Sequence, residues 1–175
     1  FRYRSGGTLS CPIVIRAPYG GGIRGGLYHS QSPEAYFAHT PGLKVVAPAT
    51  PFDAKGLLKA AIRDNDPVIF LEHKKTYRLV KGQVPTEEYT VPIGKADVKL
   101  EGEDITIVTY GLMLHHCVEA ARIVKENNIS VEVIDLRTLR PIDHKTLVTS
   151  VMKTGKVLIV HEDTQALGIG AEVSA

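Results

Sequence analysis

The chain has 175 residues, 43% apolar and 23% charged, with a formal net charge of +2. That is the make-up of a soluble globular protein, long enough for one core or two small ones, and its Lys and Arg form no runs that would point to nucleic acid. Cys11 and Cys117 lie far apart without a CxxC partner, which fits reduced thiols in a cytoplasmic protein better than a disulfide framework or a zinc site.

No apolar run approaches the roughly 18 residues of a membrane span, and no membrane partner is expected. The opening FRYRSGGTLS lacks the apolar segment of a signal peptide, and GIGAEVSA stops as a helix starts. Both ends read as cuts through a longer chain.

Strand and helix signals alternate. Residues 11–16 (CPIVIR) form a short apolar run bounded by turn residues, as a buried parallel strand would. Ser32-Pro33-Glu34 signals a helix start, with Ser as N-cap, Pro in the first turn and an acid behind it; Pro41-Gly42 stops that helix near His39. Residues 43–48 (LKVVAP) read as the next strand. Thr50-Pro51-Phe52-Asp53 repeats the start signal, and Ala54, Leu57, Leu58, Ala61 and Ile62 recur at helical spacing up to DNDP. Residues 68–73 (VIFLEH) are a further buried strand, so the first half is α/β with a largely parallel sheet.

Residues 74–92 are polar, contain Pro85 and Pro92, and read as an inter-domain linker. A second α/β unit follows, with strands at 105–110, 130–135 and 156–161 and helices at about 112–127 and 143–152, the latter capped by Asp143.

Five of the seven residues Gly20–Gly26 are glycine, and Gly20, Gly22 and Gly25 satisfy G-x-G-x-x-G. A dinucleotide site would need a helix opening at the third glycine and an acid about 20 residues on. Neither is present: Leu27-Tyr28-His29-Ser30 intervene before Ser32, and Lys44–Pro48 carries no acid. Two readings stay open, a flexible surface loop and an active-site loop at the carboxyl edge of a parallel sheet. In the second, His29 is the residue able to exchange a proton near neutral pH.

The other histidines offer less. His115 and His116 are neighbours on a helix and face different directions, a poor metal pair. His73 and His161 end strands, His39 ends a helix, and His144 reads as surface. IRDNDP (62–67) closes a helix with two carboxylates, either as a polar turn or as a seat for a hard cation. Asp135 and Arg137 suit an interface or a local salt bridge. No H-E-x-x-H, G-x-S-x-G or P-loop is present.

The stretches RAPYGGGIRGGLYHSQSPEAYFAHTPGLKVV, PFDAKGLLKAAIRDNDPVIFLEHK, VTYG and VIDLRTLRPID together resemble the β subunits of 2-oxo acid dehydrogenase E1 components. The wording around Tyr28-His29-Ser30-Gln31 is more similar to the branched-chain (2-oxoisovalerate) enzymes than to the pyruvate ones, with a pyruvate or acetoin dehydrogenase E1 β subunit as the alternative. The resemblance implies the end of a thiamine-diphosphate pyrimidine-binding domain over residues 1–90, then the start of a transketolase-type C-terminal α/β domain over 93–175. It implies an α2β2 enzyme that decarboxylates a 2-oxo acid and acylates the lipoyl group of an E2 subunit. The α subunit then holds the diphosphate and Mg2+, and a pyrimidine-side glutamate lies upstream of Phe1. His29 matches the family's active-site histidine, with Tyr28 a possible substrate contact. The family's structural K+ site, largely of main-chain carbonyls, matches Ile13, Ala61, Ile62, Asp64 and Asp66. An NAD-dependent oxidoreductase and a non-catalytic α/β interaction module are the competing readings from other classes.

Overall fold

The computed structural model describes residues 2–175. The first sheet takes β1 (Val14–Tyr19), β2 (Lys44–Val46) and β3 (Val68–His73), with β3 between the other two and all three parallel. The first strand is shifted three residues beyond the 11–16 reading. Pairing with β3, from Val14 opposite Val68 to Tyr19 opposite His73, sets its ends rather than the apolar run. The third strand matches its reading of 68–73 residue for residue.

Helix α1 (Glu34–Ala38) is about one residue shorter at each end than expected, and the residue before it is Pro33, with no side-chain cap; the Ser32 cap is not made. Helix α2 (Pro51–Ile62) is capped as its sequence demands: the Asp53 amide donates to Thr50 Oγ1 at 3.1 Å. It packs Leu57 and Ala61 against Val46, Val68 and Phe70, while Ile62, the last residue of the face that its periodicity marked, stays exposed at the helix end. The stretch 74–92 holds a short helix α3 (Thr76–Leu79), then runs back over α2, where Tyr89 stacks on Phe52 at 4.5 Å and Val91 is buried.

The second sheet has the order β4 (Asp97–Leu100), β6 (Val131–Asp135), β5 (Ile105–Thr109), β8 (Val157–Val160). Strands β5, β6 and β8 are parallel, while β4 is antiparallel and was not expected. Helices α4 (Leu112–Lys125), α5 (His144–Thr154) and α6 (Ile169–Ser174) complete this half. Asp143 caps α5 through the Thr146 amide, as its sequence indicates.

A second unexpected strand, β7 (Thr138–Arg140), pairs antiparallel with β2, adding residues of the second half to the edge of the first sheet. One buried cluster accordingly runs through both sheets, with Tyr19, Val45, Ile69 and Leu71 from one and Val108, Ile134 and Leu136 from the other. At this junction the carboxyl ends of β1, β3, β5 and β8 carry Tyr19, His73, Tyr110 and His161 close together. Tyr19 and His73 meet edge to face at 5.1 Å, and Tyr110 stacks with His161 at 6.2 Å.

Candidate active site

The glycine-rich segment leaves β1 and returns on itself: the Gly20 amide donates to the Gln31 carbonyl at 2.9 Å, closing an Ω-shaped loop. Two glycines are demanded by geometry. At Gly20, φ is +85°, and a Cβ there would lie 2.1 Å from His73 Nε2. At Gly25 an added Cβ would lie 2.7 Å from the His29 Cβ, so the loop packs directly on the root of the histidine side chain. His29 and Tyr28 are both solvent-exposed on this closed loop. No helix opens at Gly25, since residues 26–29 form a turn and α1 starts at Glu34; the dinucleotide arrangement is absent from the described residues.

Beside the loop lies a cleft of about 900 Å3, with Ser30, Gln31, Ser32 and Tyr36 on one wall and Glu162 and Asp163 on the other. Behind its wall Glu34 is fully buried, and neither carboxyl oxygen has a hydrogen-bond partner among the described residues. Burial, reinforced by the charges of Asp163 and Glu162, pushes its carboxyl up to about 7. The sequence marks Glu34 only as a first-turn acid, because burial of that turn by the second half of the chain is a tertiary event. Glu162 is the opposite case. Its hydrogen bond from His73 outweighs burial and holds it below the usual carboxylate range. The one available signal was that His73 and His161 both end strands, where open α/β sheets place their ligands.

The residues matched to a cation site gather at the carboxyl end of α2. The Ile13 carbonyl accepts from the Val68 amide at 3.0 Å and the Ala61 carbonyl from the Asp64 amide at 3.2 Å, each with a second lone pair. The side chains are otherwise engaged: Lys44 Nζ lies 2.7 Å from Asp64 Oδ1 and 3.1 Å from Asp66 Oδ2. Burial alone would raise the Asp64 carboxyl, but these bonds from Lys44 hold it below its usual range. Carbonyls at the negative end of a helix thus keep free lone pairs here, while the carboxylates are committed to Lys44. Among the described residues, no group of three or more His, Cys, Asp or Glu side chains is disposed to hold a metal ion.

Asp135 and Arg137 touch only through the Arg137 amide, which donates to Asp135 Oδ1 at 3.1 Å; the local salt bridge is not made, because the guanidinium is turned away from its neighbour. The guanidinium then reaches across to the first half, where Nη1 donates to Asp53 Oδ1 at 3.1 Å.

Residues 1–80 match the transketolase pyrimidine-binding domain and residues 94–175 the transketolase C-terminal domain. The chain is 60% identical to a 2-oxoisovalerate dehydrogenase subunit beta of Bacillus subtilis over 174 residues, 99% of this chain and 53% of that protein. To a pyruvate dehydrogenase E1 component subunit beta of the same organism it is 53% identical, over 99% of this chain and 54% of that protein. It therefore spans about half the length of the curated relatives it matches. Among solved structures, a split-gene transketolase described as an inactive beta4 tetramer superposes with a TM-score of 0.80 at 28% identity, over 94% of this chain and 52% of that one. A transketolase mutant of Pichia stipitis, at 18% identity and a TM-score of 0.66 over 90% of this chain and 24% of that one, shares the fold. With two transketolase-type domains end to end and this sequence identity, the chain belongs to the transketolase-like family and groups within it with the β subunits of 2-oxo acid dehydrogenase E1 components.

Proposed function

We propose that this chain supplies the β-side of the active site of a thiamine-diphosphate-dependent E1 enzyme, working in an α2β2 assembly with an α subunit. In this reading the enzyme decarboxylates a branched-chain 2-oxo acid and passes the acyl group to the lipoyl arm of an E2 acyltransferase. The observation that carries it is the closed glycine loop, which presents an exposed imidazole at the carboxyl edge of a parallel sheet, beside a cleft. Identity of 60% to a 2-oxoisovalerate dehydrogenase β subunit, against 53% to a pyruvate one, favours the branched-chain substrate. The boundary between the pyrimidine-binding part and the C-terminal part is assigned to residues 74–92, and the setting to the cytoplasm or mitochondrial matrix.

The residues present suit the substrate side of the cofactor, while the diphosphate and Mg2+ are assigned to the α subunit. Thiamine diphosphate, when bound, supplies the carbon nucleophile and the electron sink for decarboxylation. His29 holds and gives a proton at an imidazole nitrogen during acyl transfer to lipoyl, and Tyr28 shapes the mouth of the site. A positioned acid or base of this kind contributes typically about 10²–10⁴ in rate.

The test uses the full-length chain assembled with its α partner. His29→Ala should depress lipoyl acylation much more than decarboxylation read with an artificial electron acceptor. Equal, small losses in both assays would remove His29 from that role. Wild-type turnover of pyruvate in preference to branched-chain 2-oxo acids would overturn the substrate assignment.

A further inference from the structure

The loop that carries His29 rests on a pair of side chains that the reading above leaves without a task. His73 ends β3 and is buried, and its Nε2 lies 2.5 Å from Glu162 Oε2, on the segment that follows β8 in the other half of the chain. The Lys75 amide donates to His73 Nδ1 at 3.2 Å. Nδ1 is therefore an acceptor, the ring proton sits on Nε2, and the imidazole donates to the Glu162 carboxylate. A buried N–H to carboxylate bond of this kind is directional and stronger than a neutral pair.

The loop begins directly on this pair. Gly20 lies so close over the imidazole that a Cβ would fall 2.1 Å from Nε2, and a Cβ on Gly21 would lie 3.8 Å from Glu162 Oε1. One carboxyl oxygen thus faces His73 and the other faces the loop's second residue. From there the path to the histidine is short and closed. The Gly20 amide ties the start of the loop to Gln31, and Gly25 packs on the His29 Cβ.

We propose that His73 and Glu162 are positioning residues: the bond between them, made only when the two halves of the chain are docked, fixes the Gly20–Gln31 loop and so sets where His29 stands. This rests on the assignment of His29 above. It makes the second half of the chain a determinant of acyl transfer without touching the reacting groups.

The experiment uses the full-length chain assembled with its α partner and compares wild type with Glu162→Gln, which keeps size and shape but removes the charge, and with His73→Gln. Amide hydrogen exchange across residues 20–31 should accelerate roughly tenfold or more in both variants, while exchange in β3 and β5 stays as in wild type. Lipoyl acylation should fall by roughly tenfold or more, and by more than artificial-acceptor decarboxylation, and adding His29→Ala to Glu162→Gln should cost little further. A purely structural role predicts instead that both activities fall together and that His29→Ala adds its full effect; that result overturns the proposal. Unchanged exchange across residues 20–31 overturns it too, whatever the activities. If the wild-type complex shows no 2-oxo acid activity yet the loop loosens in the variants, the clamp stands and the functional reading falls. Should His73→Gln fail to fold, Glu162→Gln carries the test alone.

Discussion

Arg137 Nη1 lies 3.1 Å from Asp53 Oδ1, joining the turn after β6 to the first turn of α2 across the junction of the two halves. The same guanidinium donates to the Lys95 carbonyl at 3.1 Å and the Ala96 carbonyl at 3.0 Å, and Lys99 Nζ approaches Asp53 Oδ2 at 3.1 Å. Arg137 holds φ +55°, a left-handed backbone that a non-glycine residue adopts only when its surroundings enforce it. Asp53 is fully buried, and burial alone would raise its carboxyl; Thr50, Lys99 and Arg137 together bring it below the usual range.

Arg137→Ala should therefore destabilise the intact subunit by about 3–5 kcal/mol, reduced to the extent that Lys99 compensates the Asp53 charge left behind. Arg137→Lys should recover only part of this, because an ammonium cannot serve two carbonyls and a carboxylate in one plane. Denaturant unfolding measures both. A loss below about 1 kcal/mol for Arg137→Ala would place the bridge among surface-type pairs.

Glu34 predicts a pH dependence. Its folded carboxyl titrates at about 7, above its ordinary value of 4.5, with burial as the main cause and Tyr110, Asp163, Glu162 and Tyr19 as its titratable neighbours. Between those two values the folded state binds more protons than the unfolded one, so stability falls as pH rises and levels off above about 7. The share from Glu34 is on the order of 3 kcal/mol. Asp135, also raised to about 7 by burial, tilts the curve the same way. Melting curves of Glu34→Gln between pH 5 and 8 should therefore show a shallower, not flat, decline. A slope identical to wild type would show that Glu34 is ionised in the fold.

The glycine loop should tolerate no side chain at its two tight points. Gly20→Ala meets both a φ of +85° and the His73 ring, and should lower stability by about 1–3 kcal/mol as well as activity. Gly25→Val pushes on the His29 Cβ, and should reduce acylation or α-subunit assembly with a smaller effect on melting temperature. Kinetics and assembly unchanged in Gly25→Val would mark the loop as free surface.

If the carbonyls of Ile13, Ala61, Ile62, Asp64 and Asp66 seat K+, the intact subunit should melt at a higher temperature in KCl than in NaCl at equal ionic strength, following the mass-action gain of a folded-state ligand. Asp66→Asn should preserve that difference, because a carbonyl ligand survives the change. Identical melting in the two salts would remove the site.

Local chemistry alone was enough for the elements whose signals are local. Thr50 and Asp143 cap α2 and α5 as their sequences specify, and the run VIFLEH is β3 residue for residue. The glycine loop was legible as something other than a nucleotide cradle, because the helix start at residues 32–34 was too late for one. What could not be read was whatever depends on a partner distant in sequence. Strand β1 slid to the register that β3 imposes, and β4 and β7 are too short to show a period and exist because β6 and β2 offer them edges. Glu34 gives no sequence sign that it will be buried. His73 and Glu162 are 89 positions apart and meet only once both sheets share one core. The sequence by itself determined which residues could start helices, fill strands and carry a proton. Only the tertiary structure decided which of them would lose water and gain a partner, because desolvation and long-range pairing are properties of the docked halves and of no local stretch.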